Sequence, residues 1–131
     1  MSSHLSRYRD GLLAAAALAL TLLAAPAAAQ RAQVIDGDTI RVAGETIRMM
    51  GLDAPEKRAR CPAEARLAAR ATARLHDLVQ PRVWLERHGR DRYRRTLAIV
   101  RDRTGRDLAQ VMIREGLARL YNGRGRRQGW C

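Results

Sequence analysis

Two pairs of acids, Asp36 with Asp38 and Asp53 with Glu56, lie in the stretch VIDGDTIRVAGETIRMMGLDAPE from Val34 to Glu56. The chain around them is strongly basic, with 25 Lys and Arg against 13 Asp and Glu and a formal net charge of +12. Carboxylates gathered this closely repel one another unless a cation neutralises them. Hard divalent cations are bound by carboxylate and carbonyl oxygens. Between the two pairs stands Arg48, in an apolar run with strand character, where a charged residue needs a reason. A planar guanidinium can give two parallel hydrogen bonds to phosphate oxygens. Acids able to hold a cation, beside an arginine on a basic surface, point to chemistry on a phosphate. Each piece alone has a plainer reading. Asp-Gly between strands is a common hairpin turn, and a lone glutamate after Pro55 is an ordinary solvated loop residue. The conjunction carries the inference.

The elements that must position these groups can be read from the residue pattern. Three short strands are expected between Ala32 and Met50: one ending at Val34-Ile35, one over Thr39–Val42 and one over Thr46–Met50. Asp36-Gly37-Asp38 and Ala43-Gly44-Glu45 form the turns between them. Gly51–Arg60 reads as a loop. A helix is expected over Pro62–Val79, with Pro62 in the first turn, where its missing N–H costs nothing. Its inner face carries Ala68, Ala71, Thr72, Leu75, Leu78 and Val79, and its outer face Arg66, Arg70 and Asp77. Val83–Glu86 and Thr96–Val100 read as a hairpin joined by a charged loop, His88 to Arg94. Asp107 with Gln110 resembles a capping box opening a second helix, with Leu108, Val111 and Met112 inward and Gly116 as its stop. Beyond Asn122 the chain is rich in Gly and Arg and has no periodicity.

The N-terminus reads as a secretory leader. Arg7 and Arg9 precede an apolar run from Gly11 to Ala25, followed by Pro26-Ala27-Ala28-Ala29. A charged region, an apolar region and a small-residue site describe a signal peptide. Cleavage is expected after Ala29, giving a leader over 1–29 and one domain over 30–131. An uncleaved membrane anchor is the alternative, since the apolar segment is near the minimum length for a span. The expected location is secreted or periplasmic, with the membrane met only during export. All serines (Ser2, Ser3 and Ser6) fall in the leader, which excludes a serine nucleophile from the mature chain. The two cysteines, Cys61 and Cys131, are expected to form a disulfide, the default for an exported chain. The basic surplus attracts polyanions, nucleic acid above all.

The stretch from Val34 to Glu56 also resembles the opening half of the staphylococcal nuclease (thermonuclease) family, in its IDGDT turn and its Arg48…Asp53-Ala54-Pro55-Glu56 segment. The resemblance continues through DRYRRTLA, Asp91 to Ala98, and REGLARLY, Arg114 to Tyr121, in the family's order. It implies an α+β, mainly β fold: a five-stranded Greek-key OB-fold barrel with two helices. Five strands and two helices are compatible with that barrel, but pattern alone does not choose it. The resemblance further implies that Asp38, Asp53 and the Ala54 carbonyl bind Ca²⁺, with Asp36 a turn residue beside them. Many relatives have Thr at the position of Ala54. Glu56 matches the family's proposed general base, acting on water or organising it. Arg48 and Arg95 match its two phosphate-binding arginines. Arg92, Tyr93 and Tyr121 match or adjoin positions near the bound nucleotide. The chain departs from the family at Arg94, where a glycine is usual, in a short loop before the first helix, and in stopping at Cys131 without a further C-terminal helix.

The expected activity is that of an exported, Ca²⁺-dependent nuclease. It hydrolyses phosphodiester bonds of DNA and RNA with low sequence specificity and leaves 3′-phosphates, working as a monomer without a stable protein partner. Oxygen ligands alone would equally allow Mg²⁺ or Mn²⁺. Two rivals stand beside this reading. One is a non-catalytic nucleic-acid-binding OB module. The other is a basic protein coating anionic surface polymers, which would bind without metal dependence.

Overall fold

The structure is a computed structural model that describes residues 28–131. The expected leader lies almost wholly outside the described residues. The first strand β1 (Gln33–Asp36), β2 (Thr39–Val42) and β3 (Glu45–Met49) follow one another as antiparallel hairpins. A two-residue strand, β4 (Leu52–Asp53), precedes helix α1 (Pro62–Leu78). The strands β5 (Trp84–Arg90) and β6 (Thr96–Arg101) form the long hairpin. Helix α2 (Leu108–Arg114) and the short strand β7 (Arg119–Leu120) close the order.

The architecture is α+β and mainly β, with two helices beside a five-stranded mixed sheet in the order β1-β2-β3-β6-β5. Its one parallel pairing is β3 with β6, which sets Arg48 opposite Leu97. A parallel pair needs a long crossover, and here α1 and β5 supply it. The sheet is not a closed barrel. Its edge strands β1 and β5 are not paired with each other among the described residues, and the link nearest to closure is a single bridge, Gln30 to Val83. The five strands of the main sheet therefore meet the expectation and barrel closure does not.

Alternation in β6 sends Thr96, Ala98 and Val100 into the core and leaves Leu97 and Ile99 half-buried on the other face. Ile40, Val42, Ile47, Met49, Val83 and Leu85 join them from the sheet. Ala71, Leu75 and Leu78 of α1, with Leu108 and Met112 of α2, cover that face. The cap of α2 is Asp107, whose carboxylate accepts the Ala109 N–H at 2.9 Å.

Two departures from the expected elements bear on the site. Strand β5 runs on to Arg90, past the expected start of the charged loop, by absorbing an irregularity between Arg87 and Arg90. The loop after Gly51 is not wholly loop. Leu52 and Asp53 pair with Leu120 and Arg119 in a separate two-stranded ladder, which Tyr121 extends by donating its N–H to the Gly51 carbonyl at 3.1 Å.

Candidate active site

The turn between β1 and β2 is seated on other parts of the chain. A Cβ added to Gly37 would stand 2.9 Å from the Cβ of Ala54 and 3.0 Å from that of Ala71. Glycine here serves close approach: it lets the turn lie against α1 and the Asp53-Ala54 segment at once. Asp38 is thereby carried to the segment that bears the second acidic pair, where the Ala54 N–H points at its Oδ2 from 3.4 Å.

Asp38 is buried, at 8% exposure. Its Oδ2 pairs with Arg48 Nη1 at 3.0 Å, and its Oδ1 accepts the Thr39 hydroxyl at 2.8 Å. Burial pushes its carboxyl up to about 6 even against the opposing charge of Arg48, and Asp36 pushes the same way. One arginine therefore does not fully compensate this buried acid. Arg48 is in turn fixed from several sides, since it also donates to the Met49 carbonyl at 3.1 Å and the Leu52 carbonyl at 3.2 Å. A charged side chain on an apolar strand is tolerated here because carbonyls and a carboxylate surround it.

Asp53 is buried to 5% exposure on β4, while Glu56, three residues on, is exposed. The two are joined through the C-terminal tail. Arg127 Nη1 lies 3.0 Å from Asp53 Oδ1 and 3.1 Å from Glu56 Oε1. The hydrogen bond to Asp53 raises the Arg127 guanidinium above its ordinary pKa, so it stays charged. The tail is fastened just beyond this contact, at residues 129–131. Arg119 stacks on the Trp130 ring, 3.9 Å from its centroid, and donates to the Gly129 carbonyl at 2.7 Å. Cys131 is joined to Cys61 as the expected disulfide, across a separation of 70 residues.

The loop that carries Glu56 rests on Glu64, buried at 4% exposure in the first turn of α1. Glu64 Oε1 accepts the Glu56 N–H at 3.3 Å and Oε2 the Arg60 N–H at 2.7 Å. A carboxylate near a helix N-terminus is favoured by the helix dipole. The N-cap position, Cys61, makes no side-chain cap bond.

Arg95 belongs to a second group. Its Nε donates to Asp91 Oδ2 at 2.7 Å, and its guanidinium lies 5.4 Å from the ring of Tyr93. Arg92 lies 4.9 Å from the same ring, which is 64% exposed. Leu97 is the partner of Arg48. Arg95, two residues before Leu97, lies just outside β6, and continuing the alternation of the strand by one residue assigns it to that face. No ion pair joins this group to the acids among the described residues. Tyr121 donates its hydroxyl to the Gly125 carbonyl at 3.2 Å and so belongs to the tail.

Among the described residues, no three His, Cys, Asp or Glu come together as a metal-binding group. What the fold assembles is Asp38 beside Asp53-Ala54, a donor set of oxygens alone, suited to a hard cation. The undercompensated charge of Asp38 fits such a cation. Arg127 and Glu64 went unread in the sequence. Glu64 had a signal, a glutamate two residues after a helix-opening proline. Arg127 had none, because its contacts span more than seventy residues from a tail without periodicity.

Over residues 46–129 the chain matches the model of a family described as staphylococcal nuclease homologue. That span includes Arg48, Asp53, Glu56, Arg95 and Arg127 and leaves out Asp38. The chain is also similar to Protein ParB of Escherichia coli, at 36% identity over 132 aligned positions, covering 88% of this chain and 71% of that protein.

Proposed function

This chain belongs to the staphylococcal nuclease homologue family, and we propose that it is an exported Ca²⁺-dependent nuclease acting on DNA and RNA with little sequence preference. The observation that carries this reading is the seating of Gly37 on Ala54, which brings buried Asp38, with Arg48 bound to it, against the segment of Asp53 and Glu56. Asp38, Asp53 and the Ala54 carbonyl would hold the cation. When bound, it would polarise a phosphoryl oxygen and neutralise charge in the transition state.

The chain's own residues do the rest. Arg48 on β3 and Arg95 just before β6 take non-bridging phosphate oxygens. Donors fixed before reaction are the effective ones for developing charge, and Arg48 is fixed by carbonyls on two sides. Glu56 orients a water and accepts its proton as the oxygen attacks phosphorus. The bond from phosphorus to the 5′-oxygen breaks, that oxygen takes a proton from solvent water, and the 3′-phosphate remains. Tyr93 offers an exposed ring for a base to stack on, which tolerates any sequence. Arg92 beside it and the tail residue Tyr121 border the nucleotide. In this reading the leader over 1–29 delivers the domain as a monomer to an oxidising compartment.

The test is digestion of plasmid DNA and of RNA by residues 30–131, with Ca²⁺ and with excess chelator. Cleavage should require Ca²⁺. Asp38→Asn and Glu56→Gln should lower turnover at least about a hundredfold, while binding to nucleic acid survives, because it rests on arginine contacts to phosphate. Full cleavage in chelator, or in either variant, would refute the mechanism.

A further inference from the structure

The tail from Asn122 to Cys131 contains no strand or helix, yet it is fastened at Arg119–Trp130 and at Cys61–Cys131. Three residues before Trp130 in that fastened end, the Arg127 guanidinium reaches both Asp53 and Glu56. Arg127 is half exposed, at 49%, so burial does not force it there. The contact is selected by the two carboxylates and by the clamp that keeps the tail close.

We propose that Arg127 is a built-in cation that competes with the divalent ion for Asp53 and so sets the ion concentration the site needs. This rests on the metal reading above and goes beyond it by giving the tail a role. A bound divalent ion and the Arg127 contact both draw on the Asp53 carboxylate. Breaking that contact is therefore a cost of binding the ion. The disulfide shortens the tether on this intramolecular competitor. It raises the effective concentration of Arg127 at the acids without adding a contact of its own. Arg127 leaves Asp53 when the ion arrives and remains on the chain, close to where the negative substrate sits. The same strap thus opposes loading of the ion and contributes positive charge once it is loaded.

The experiment is calorimetric titration of Ca²⁺ into residues 30–131 without nucleic acid. The variants are Arg127→Ala, Arg126→Ala, Cys131→Ala and the double variant Arg127→Ala/Cys131→Ala. Arg126 is the control: it removes the same charge one residue away, where no ion pair is formed among the described residues. Arg127→Ala should tighten Ca²⁺ binding at least about fivefold, the low end of ordinary coupling between sites. Arg126→Ala should stay within about twofold of wild type, as expected for a screened exposed charge. Cys131→Ala should tighten binding in the same direction, and the double variant should gain nothing beyond Arg127→Ala alone. Thermal melts of each variant verify folding. Equal affinity in wild type and Arg127→Ala, or equal gains from Arg126→Ala and Arg127→Ala, would overturn the competition while leaving the metal reading intact. Absence of Ca²⁺ binding in every folded variant would overturn the metal reading and this proposal with it.

Discussion

Arg94 and Arg95 are consecutive on the chain and opposite in disposition. Arg94 is exposed and sits at φ +66°, in the left-handed region that favours glycine. Arg95 is half-buried and turned back onto Asp91, whose Oδ1 also accepts its N–H at 3.0 Å. The left-handed backbone explains why the family usually has glycine where this chain has Arg94. The turn geometry is kept, and an L-residue bears the strain.

The first prediction separates the two arginines. Arg94→Gly should relieve a left-handed penalty of about 1 kcal/mol, offset in part by the freer unfolded chain, and leave turnover unchanged. Arg94→Ala should weaken nucleic-acid binding and flatten its salt dependence by about one unit of slope. Arg95→Ala should lower kcat far more than it raises KM, the mark of a contact made in the transition state. Urea unfolding and steady-state kinetics read these effects. Loss of kcat in Arg94→Ala with none in Arg95→Ala would show that the face assignment from Leu97 is wrong by one residue.

Local pattern carried most of the fold. The Asp36-Gly37-Asp38 and Ala43-Gly44 turns, Pro62 at the start of α1, and Asp107 and Gly116 at the ends of α2 are signals that act within a few residues, and each stands where the sequence places it. Strands β4 and β7 were not legible, because two residues cannot show alternation and their pairing joins Leu52 to Leu120. The limit of strand β5 was misplaced because Gly89, at φ +104°, bends the strand without ending it. In the site, Arg48 pairs with Asp38 and the Ala54 N–H points at the same carboxylate. The contact of Arg127 with the acids depends on the path of the tail, which only the assembled fold determines.

The second prediction concerns pH. Asp38 has its carboxyl raised to about 6 by burial, from an ordinary 3.8. The folded protein therefore binds this proton more tightly than the unfolded chain does. Its contribution to stability is greatest in acid and falls as pH rises from about 4 to about 6, by on the order of 2–3 kcal/mol. Asp38→Asn should remove that fall. Urea unfolding of both proteins from pH 4 to pH 8, in chelator, gives the comparison as a difference, so that carboxylates of the opposite sense cancel. Asp102 is one of these. Burial opposes its ionisation, but hydrogen bonds from Thr104 and Arg106 hold it near 2, so its contribution is lost only as pH falls through the range below about 4. Parallel profiles for wild type and Asp38→Asn would refute the assignment to Asp38.

The third prediction concerns Glu64 as a positioning residue for Glu56. It touches no substrate; it accepts the backbone N–H groups of Glu56 and Arg60 and so fixes the loop from which the Glu56 carboxylate projects. Glu64→Ala leaves two N–H groups without their acceptor, at a cost of about 1–3 kcal/mol for each one that stays shielded from water. Glu64→Gln keeps one acceptor oxygen and should recover part of that loss. If the role is positioning, turnover follows the loop. Glu64→Ala should lower kcat about tenfold or more with KM nearly constant, since a small misplacement of a catalytic group is costly. Ca²⁺ affinity should stay within about twofold, because Asp38 and the β4–β7 ladder carrying Asp53 do not rest on Glu64. A purely structural role would lower stability and leave the kcat of the folded fraction unchanged. Kinetics normalised to active-site concentration, measured well below the melting temperature, distinguish the two. An unchanged kcat in Glu64→Ala would mean that Glu56 finds its place without the support of Glu64.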